Sequence, residues 1–309
     1  MNHASAKKPE IVVNNKISTP TTTIIFNMFG IALVTLIAAL CLLPFILMIS
    51  GSFTSEHAIR FNGYSLWPQE FTLDAYEYVF RNPDRILRAY GVTIFITAVG
   101  TSIGLLLITM TAYVISRKDF KYRNVLSFFF YFTTLFNGGM VSTYMYFIQY
   151  LHLKDSLLAL ILPGLFNVFY LLIMRSFISQ IPSALIESAK IDGASEIRIF
   201  VQIILPLLGS GLAAIGLFMA LFYWNDWYHA MLYINTAAKF PLQYMLYDLL
   251  MKQQALMQIA SQVGIKMEEL PTSSLKMAMA VVATGPIILL YPFVQKYFVK
   301  GVTIGSVKG

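Results

Sequence analysis

The chain has 309 residues, of which 57% are hydrophobic and only 12% are charged. Because soluble domains carry about 25% charged residues, this composition and a mean hydropathy of +0.67 exclude an ordinary soluble protein and predict an integral membrane protein. A net charge of +7 would suggest nucleic-acid binding in a soluble chain, but basic cytosolic loops account for it here, and we expect no nucleic-acid partner.

Six apolar windows are each long enough to cross the bilayer, since about 30 Å of hydrocarbon needs roughly 20 helical residues. In chain order they are Ile24–Ile49, Ala89–Ile115, Val125–Ile148, Ser156–Met174, Leu207–Ile234 and Leu275–Phe298. Pro163 and Gly164 interrupt the fourth window, which we expect to stop before Arg175. The first window is too long for a cleaved signal sequence and is expected to be retained.

The predicted fold is therefore all-α, with a six-span domain over residues 24–298 between tails at 1–23 and 299–309. Both tails are expected in the cytosol, together with residues 116–124 and 175–206. With Lys296 at the boundary, this side holds 13 basic and 5 acidic residues, and the external side 9 basic and 10 acidic. Basic loops favour the cytosolic face, so the charge distribution supports this orientation in a bilayer.

Two long segments lie outside in this topology, at about residues 51–88 and 235–274. The first contains Trp67 and several other aromatic residues and is expected to pack on the outer membrane interface. The second, Asn235–Ser274, is long enough to fold and reach an external partner. A solvated loop without a partner is the alternative interpretation.

A polar segment lies between the fourth and fifth windows. Pro182 is expected in the first turn of a short helix, and Asp192-Gly193 is expected to end that helix because glycine adopts positive φ readily. Ser195 is a suitable N-cap for a second helix over Glu196–Ile204. A helix–turn–helix of this kind either docks on a cytosolic partner or lies on the membrane as an amphipathic element.

The same segment contains a spaced motif. Glu187-x-Ala189-x-x-x-Gly193, followed after nine residues by Ile203-x-Leu205-Pro206, resembles the EAA loop of ABC-importer permeases. The Asp192-Gly193-Ala194 form and Phe200 resemble the smaller, maltose-type subunit of carbohydrate-uptake permeases. The resemblance extends to Ser116-Arg117-Lys118-Asp119 and to the final residues 297–309. Ser188 departs from the pattern, because the family usually has alanine there.

The resemblance implies a type I ABC-importer permease subunit in a bacterial plasma (inner) membrane. Its expected partners are a second permease, two cytosolic ABC ATPases and an extracytoplasmic solute-binding protein. ATP and Mg²⁺ would be bound by the ATPases, and no cofactor or metal is expected in this chain. The residues implied in ATPase coupling are Glu187, Ser188, Ala189, Asp192, Gly193 and Ala194, with Gly305, Lys308 and Gly309 of the C-terminal tail.

Candidate pathway residues lie in the third and fifth windows. Sugars present hydroxyl groups and flat C–H faces, which suit amide and aromatic side chains. The candidates in the fifth window are Tyr223, Trp224, Asn225, Asp226 and Trp227. Asn137, followed by two glycines, is the candidate in the third window. An interfacial aromatic belt and a packing bend are the respective alternatives.

Enzymatic motifs are missing from the sequence. It contains no HExxH, GxSxG, CxxC or Walker motif, and its four histidines are scattered, so we expect a non-catalytic transport subunit. A stand-alone secondary transporter is an alternative, but it would need ion-coupling carboxylates within the spans, where only Asp226 occurs. An ABC permease for a non-sugar solute is the other alternative. The transported sugar, which we expect to be an oligosaccharide, is not identified by the sequence.

Overall fold

The computed structural model describes residues 21–263 and 272–288. These residues form helices and contain no β-strand, apart from one isolated antiparallel bridge between Thr54 and Phe71. The helices are α1 (Thr21–Ser52), α2 (Glu56–Asn62), α3 (Asp74–Val79), α4 (Pro83–Ser116), α5 (Arg123–Leu135), α6 (Gly139–Met145), α7 (Leu158–Ile161), α8 (Val168–Ser179), α9 (Ser183–Ile191), α10 (Glu196–Ile199), α11 (Leu205–Leu207), α12 (Gly209–Trp224), α13 (Tyr228–Tyr233), α14 (Leu242–Val263) and α15 (Ser273–Ile288).

Two of these helices are long and apolar enough to cross a membrane without interruption, at Ile25–Ser52 and Pro83–Ser116. Three further candidate spans are bent pairs of helices. The bends are 113° between Arg123–Leu135 and Gly139–Tyr150, 50° between Leu158–Gly164 and Val168–Ser179, and 81° between Glu196–Leu207 and Gly209–Trp224. Counting each bent pair as one span gives five, so the all-α prediction is confirmed while the six-span count stays a prediction.

Two sequence-based expectations were wrong. The fifth window was predicted without a break, but the chain is broken there at residue 208 and at residues 225–227. The third window is broken at residues 136–138, where the sequence indicated unwound backbone or a bend at Asn137. The fourth does not stop before Arg175, since α8 continues to Ser179. A single arginine at a helix end places its charged head in water while its stem packs on apolar surface, and Arg175 donates a hydrogen bond to Ser127 Oγ at 3.2 Å.

Helix α4 is the central element of the chain and contributes to two hydrophobic cores. Near its N-terminus, Ile86 and Ile96 pack with Trp224, Leu242 and Met279. Near its C-terminus, α4 contributes to a second core with residues of α8, α9, α10 and α12. The α4 members of that core are Ile108, Ala112, Tyr113 and Ile115. One uninterrupted helix therefore connects the two ends of the molecule.

Glycines allow α4 and α12 to approach closely. A Cβ atom at Gly100 would lie 2.4 Å from Tyr223 Cζ, and one at Gly104 would lie 2.3 Å from Met219 Cε. Tyr223 is fully buried, and its hydroxyl donates to the Ile161 carbonyl at 2.7 Å. Small residues four apart are typical of close helix packing in membranes, so Gly100 and Gly104 set the spacing of this pair.

A buried carboxylate fixes the start of α15. Glu56 Oε2 accepts hydrogen bonds from the backbone N–H groups of Thr272, Ser273 and Ser274 at 2.9, 2.7 and 3.2 Å. These donors have no partner within the helix, and the helix dipole favours an anion at this end. Burial raises the pKa of the Glu56 carboxyl, but hydrogen bonds from Ser274, Ser273 and Arg60 outweigh the effect of burial, so that the pKa lies below its ordinary value of 4.5.

Candidate functional site

The polar segment between the fourth and fifth windows folds as a helix–turn–helix. Helix α9 begins at Ser183, and Pro182 is its N-cap, one residue before the first turn in which the sequence placed it. The Ser195 hydroxyl accepts a hydrogen bond from the Arg198 backbone N–H at 3.4 Å and caps α10. The chain then continues as one turn of π-helix over Phe200–Ile204 into α11. The element is thus built by local capping signals.

The turn after α9 is closed by two backbone hydrogen bonds around a left-handed glycine. Gly193 has φ 75°; its N–H donates to Lys190 O at 3.0 Å, and the Ala194 N–H donates to Ala189 O at 2.9 Å. This pair of bonds is a Schellman motif, which satisfies two of the last carbonyls of the helix. The turn sets the direction in which the chain leaves α9.

The two faces of α9 have different surroundings. Ala189 is 9% exposed and belongs to the core beneath the helix, and Ala194 is half-buried. Glu187, Ser188, Asp192 and Gly193 are exposed. Of the coupling residues named from the sequence, Ala189 therefore attaches α9 to its own chain, while the exposed four can face a partner.

Large apolar residues add to the outward face of this element. Ile191 is 86% exposed and Ile197 is 77% exposed, and Leu185 is also exposed. Contiguous exposed apolar surface is typical of an interaction site. The exposure of Ile197 was not predictable from the sequence, because hydropathy alone does not tell which side of a short helix is covered.

Five polar side chains join α9 and α10 to the end of α4; we call them the charged network. Lys190 Nζ lies 2.9 Å from Asp119 Oδ2 and 2.9 Å from Glu196 Oε1. Arg117 lies 2.6 Å from Asp119 and 3.4 Å from Glu196. The Tyr113 hydroxyl donates to Glu196 Oε2 at 2.7 Å. The network ties the helix–turn–helix to α4.

The charges of this network stabilise one another. Hydrogen bonds from Arg117 and then Lys190 hold the pKa of the Asp119 carboxyl well below its usual range. The bond from Lys190 is the main cause of a lowered pKa at Glu196, and the same contacts raise the pKa of Lys190. All four ionisable groups are therefore charged around neutral pH.

A cleft of about 610 Å³ lies between α9 and the segment that follows α4. Glu187 and Lys190 line one wall, and Arg117, Lys118 and Asp119 line the other. Among the described residues Glu187 has neither an ion pair nor a side-chain hydrogen bond, which leaves its carboxylate available to a group that enters the cleft.

The aromatic block predicted in the fifth window is divided between buried and exposed positions. Tyr223 and Trp224 are 0% and 6% exposed, and the Trp224 indole donates to the Ala283 carbonyl at 3.0 Å. Asp226 is 8% exposed, and one of its carboxylate oxygens lies 3.1 Å from the His229 backbone N. Asn225 and Trp227 are exposed. The first three residues hold helices together, so only the last two are available to a ligand.

Asn137 lies at the 113° break between α5 and α6. Its Oδ1 accepts a hydrogen bond from the Gly139 backbone N–H at 2.8 Å, and Gly139 has φ 80°. The whole stretch from 136 to 139 is exposed in the single chain. The break that the sequence suggested is present, but the described residues do not enclose a cavity around it.

Some predicted elements lie outside the described residues. They are the coupling residues Gly305, Lys308 and Gly309, the tail 299–309, most of the tail 1–23, and residues 289–298 of the sixth window. The charged network was not predicted from the sequence, where Arg117 and Asp119 were noted only as part of a motif. The partner of Arg117, Glu196, is 79 residues away, and the partner of Asp119, Lys190, is 71 residues away.

Comparison with known proteins gives consistent similarities. Residues 81–304 match the protein family described as "Binding-protein-dependent transport system inner membrane component". The chain is 41% identical over 285 residues to the polygalacturonan/rhamnogalacturonan transport system permease protein YtcP of Bacillus subtilis, covering 92% of this chain and 99% of YtcP. It is 43% identical over 287 residues to the protein LplC of the same organism, covering 92% of this chain and 95% of LplC.

One solved structure is similar in fold over almost the whole chain. It is a crystal structure of a bacterial ABC transporter involved in the import of the acidic polysaccharide alginate, with a TM-score of 0.75 and 27% sequence identity. The match covers 91% of this chain and 99% of the aligned chain.

Proposed function

Because the chain belongs to the family of binding-protein-dependent transport system inner membrane components, we propose that it forms half of the translocation pathway of an ABC importer for an oligosaccharide. Its expected location is a bacterial plasma membrane, and the stand-alone carrier considered above is not favoured by this membership. The similar proteins include a polygalacturonan/rhamnogalacturonan permease and a component of an alginate importer, which supports a saccharide over other solutes.

The proposed partners are a second permease, two cytosolic ATPases and an external binding protein. The ATPases supply hydrolysis of ATP with Mg²⁺, and this chain supplies the pathway and the surface that receives their motion. The candidate pathway residues are Asn225 and Trp227, which are exposed at the end of α12, and Asn137 at the break in the third window.

The observation that carries the proposal is the construction of the helix–turn–helix. Its outward face presents Glu187, Asp192 and the exposed Ile191, while Ala189 and the charged network attach it to α4. An ATPase that grips the outward face would move α9 together with α4, because the ion pairs and the buried alanine join them. We propose this attachment as the route by which ATPase closure reaches the pathway.

The experiment is purification of the tagged chain from its native cell in mild detergent, followed by mass spectrometry. Recovery of a second permease, an ATPase with a Walker motif and a secreted binding protein is expected. Recovery of the chain alone, together with uptake by the chain alone in liposomes, would contradict the proposal.

Glu187→Lys tests the contact surface within that complex. Reversing this charge is expected to reduce the amount of ATPase that co-purifies, because Glu187 faces the cleft without a partner among the described residues. Glu77→Lys is the matched control, since Glu77 is also an exposed glutamate but lies on α3. Equal ATPase recovery from both variants would remove Glu187 from the contact.

A further inference from the structure

The residues around the end of α12 alternate between the core and the surface. Tyr223, Trp224 and Asp226 are buried, whereas Asn225 and Trp227 are exposed. The break after Trp224 has therefore turned one amide and one indole outward, and Trp227 keeps 38% of its surface exposed.

Helix α14 supplies a matching amide and a matching ring to the same place. Gln243 Nε2 donates to Asn225 Oδ1 at 3.3 Å, and the Tyr247 ring stacks on the Trp227 ring with centroids 4.6 Å apart and planes 27° apart. Gln243 and Tyr247 are four residues apart, so they share one face of α14. The four side chains form a compact patch, which we call the amide–aromatic patch.

The patch has unused binding capacity. The Trp227 ring stacks on Tyr247 and meets the Tyr228 ring edge-on with centroids 6.1 Å apart, and 38% of the residue remains exposed. A glutamine side chain can accept two hydrogen bonds through its carbonyl oxygen, and among the described residues Gln243 Oε1 accepts none. Asn225 Nδ2 donates to the Leu221 carbonyl at 2.9 Å, so Gln243 Oε1 is the acceptor of the patch without a bond among the described residues. An exposed aromatic ring beside such a carboxamide suits the C–H face and hydroxyl groups of a sugar ring.

The patch is held by a rigid frame. The Thr93 hydroxyl of α4 accepts a hydrogen bond from the Leu242 backbone N–H at 2.8 Å, in a buried position. Arg85 pairs with Asp248 of α14 at 3.1 Å. Two contacts from α4 thus fix the start of α14, and a binding group on a fixed helix loses little freedom when it meets its ligand.

We propose that the amide–aromatic patch of Asn225, Trp227, Gln243 and Tyr247 is a saccharide subsite of this chain, at the end of α4 opposite to the charged network. A sugar ring packs on the exposed surface of Trp227, and its hydroxyl groups bond to the carboxamides of Asn225 and Gln243. The subsite rests on the proposed function as a saccharide permease, and it adds Gln243 and Tyr247, which no sequence pattern indicated.

The test uses saturation-transfer NMR on the purified complex without its binding protein, with trigalacturonate and maltotriose as acidic and neutral probes. Transfer to the ring protons of at least one probe is expected for the wild type. Trp227→Leu and Tyr247→Leu are each expected to raise the half-saturation concentration roughly 2- to 12-fold, the factor that an aromatic contact is worth. The matched control is Trp67→Leu, because Trp67 is 82% exposed and lies in a different segment; it should bind like the wild type.

Four outcomes would overturn the subsite. The first is that neither probe receives saturation transfer from the wild type, and the second is that Trp67→Leu weakens probe binding as much as Trp227→Leu does.

The third outcome is that the Trp227 and Tyr247 variants fail to assemble with the second permease, which would make the patch a subunit contact. The fourth is that Trp227→Leu binds the probes normally but its ATPase is stimulated less by the sugar-free binding protein. That result would make the patch a docking surface for the binding protein.

Failure of the subsite is distinguishable from failure of the proposed function. Suppose that the complex still takes up saccharide from its binding protein, but that saturation transfer to the probes does not depend on Trp227. That result would leave the importer intact and remove only the subsite. A chain that co-purifies with neither an ATPase nor a second permease would remove the proposed function itself.

Discussion

Replacing Gly100 with alanine is expected to destabilise the packing of α4 against α12. The new Cβ would lie 2.4, 2.5 and 2.8 Å from three atoms of the Tyr223 ring, whereas carbon atoms pack best at about 3.5–4.0 Å. The ring has little room to withdraw. Its hydroxyl is bonded to Ile161, and a Cβ on Gly164 would be only 2.7 Å from its Cζ, so the backbone at Gly164 already contacts it from another side.

The magnitude follows from three terms. Overpacking of a buried site costs about 1–3 kcal/mol, and loss of the Tyr223 hydrogen bond costs about 1 kcal/mol more. The higher helix propensity of alanine offsets about 1 kcal/mol of this loss of stability. The net loss is therefore about 1–3 kcal/mol, which corresponds to a fall of roughly 2–12 °C in the unfolding midpoint.

The assay is thermal unfolding of the detergent-solubilised protein, followed by intrinsic fluorescence. Gly216→Ala is the matched control, because Gly216 also lies within a helix of this pair but its Cβ would meet Leu105 at an ordinary 3.5 Å. The control is expected to gain stability from propensity alone, so the two variants should shift in opposite directions. A Gly100→Ala midpoint at or above that of the wild type would refute the reasoning.

Three further predictions concern the polar contacts. Lys190→Met removes the ion pairs to Asp119 and Glu196 and is expected to reduce severalfold the amount of substrate transported per ATP hydrolysed. The unfolding midpoint should change little, since exposed ion pairs stabilise weakly. Substrate uptake and ATPase turnover measured in the same proteoliposomes give this ratio. Gly193→Val is expected to cost about 1–2 kcal/mol through its left-handed φ and to uncouple uptake from ATPase turnover, although its Cβ would meet no atom within 4 Å. Glu56→Gln is expected to lower the unfolding midpoint at neutral pH, because the neutral side chain bonds the N-terminus of α15 less strongly.

The same assays include controls for each variant. Lys118→Met removes a neighbouring charge that has no ion pair among the described residues, and Lys190→Arg keeps the charge; both should couple normally. Gly193→Asn should retain function, because asparagine tolerates positive φ. If asparagine fails as severely as valine, the requirement at Gly193 is for space at the partner surface and not for φ.

The pH dependence of Glu56 has a definite sign. Its folded pKa is lowered from 4.5, so its contribution is complete above pH 4.5 and is lost as pH falls through the lower folded value. Wild-type protein should lose stability in this acidic window, and Glu56→Gln should lose less. Parallel acid curves for the two proteins would show that Glu56 is not the titrating group.

The local parts of this structure follow from short sequence signals. Pro182, Gly193 and Ser195 each act within a few residues, so the start of α9, its end and the cap of α10 were all predictable. The break at Asn137 was indicated in the same way by the two glycines that follow it. Such signals act through φ and through backbone groups of neighbouring residues, and no distant contact is needed to interpret them.

The direction of side chains in the membrane-spanning regions was not predictable. Hydropathy counts apolar residues without regard to the face on which they lie, so Tyr223 and Trp227 looked equivalent, although the first packs between helices and the second is exposed. The breaks at residues 208 and 225–227 were not predicted either, because the windows were placed by average hydropathy, and Asn225 and Asp226 are two polar residues within a long apolar run. Contacts of Arg117 with Glu196, and of Asn225 with Gln243, depend on which helices meet in space.

Helix α4 is also a lever. Its 34 residues span about 51 Å at 1.5 Å per residue, and the three bent pairs around it offer no equally long straight segment. A tilt of about 5° around its middle would displace each end by roughly 2 Å in opposite directions. One end is joined to α10 through Tyr113 and Arg117, and the other to α14 through Arg85 and Thr93. A pull at the end next to the charged network would then shift the groups that face the opposite end without any rearrangement between them.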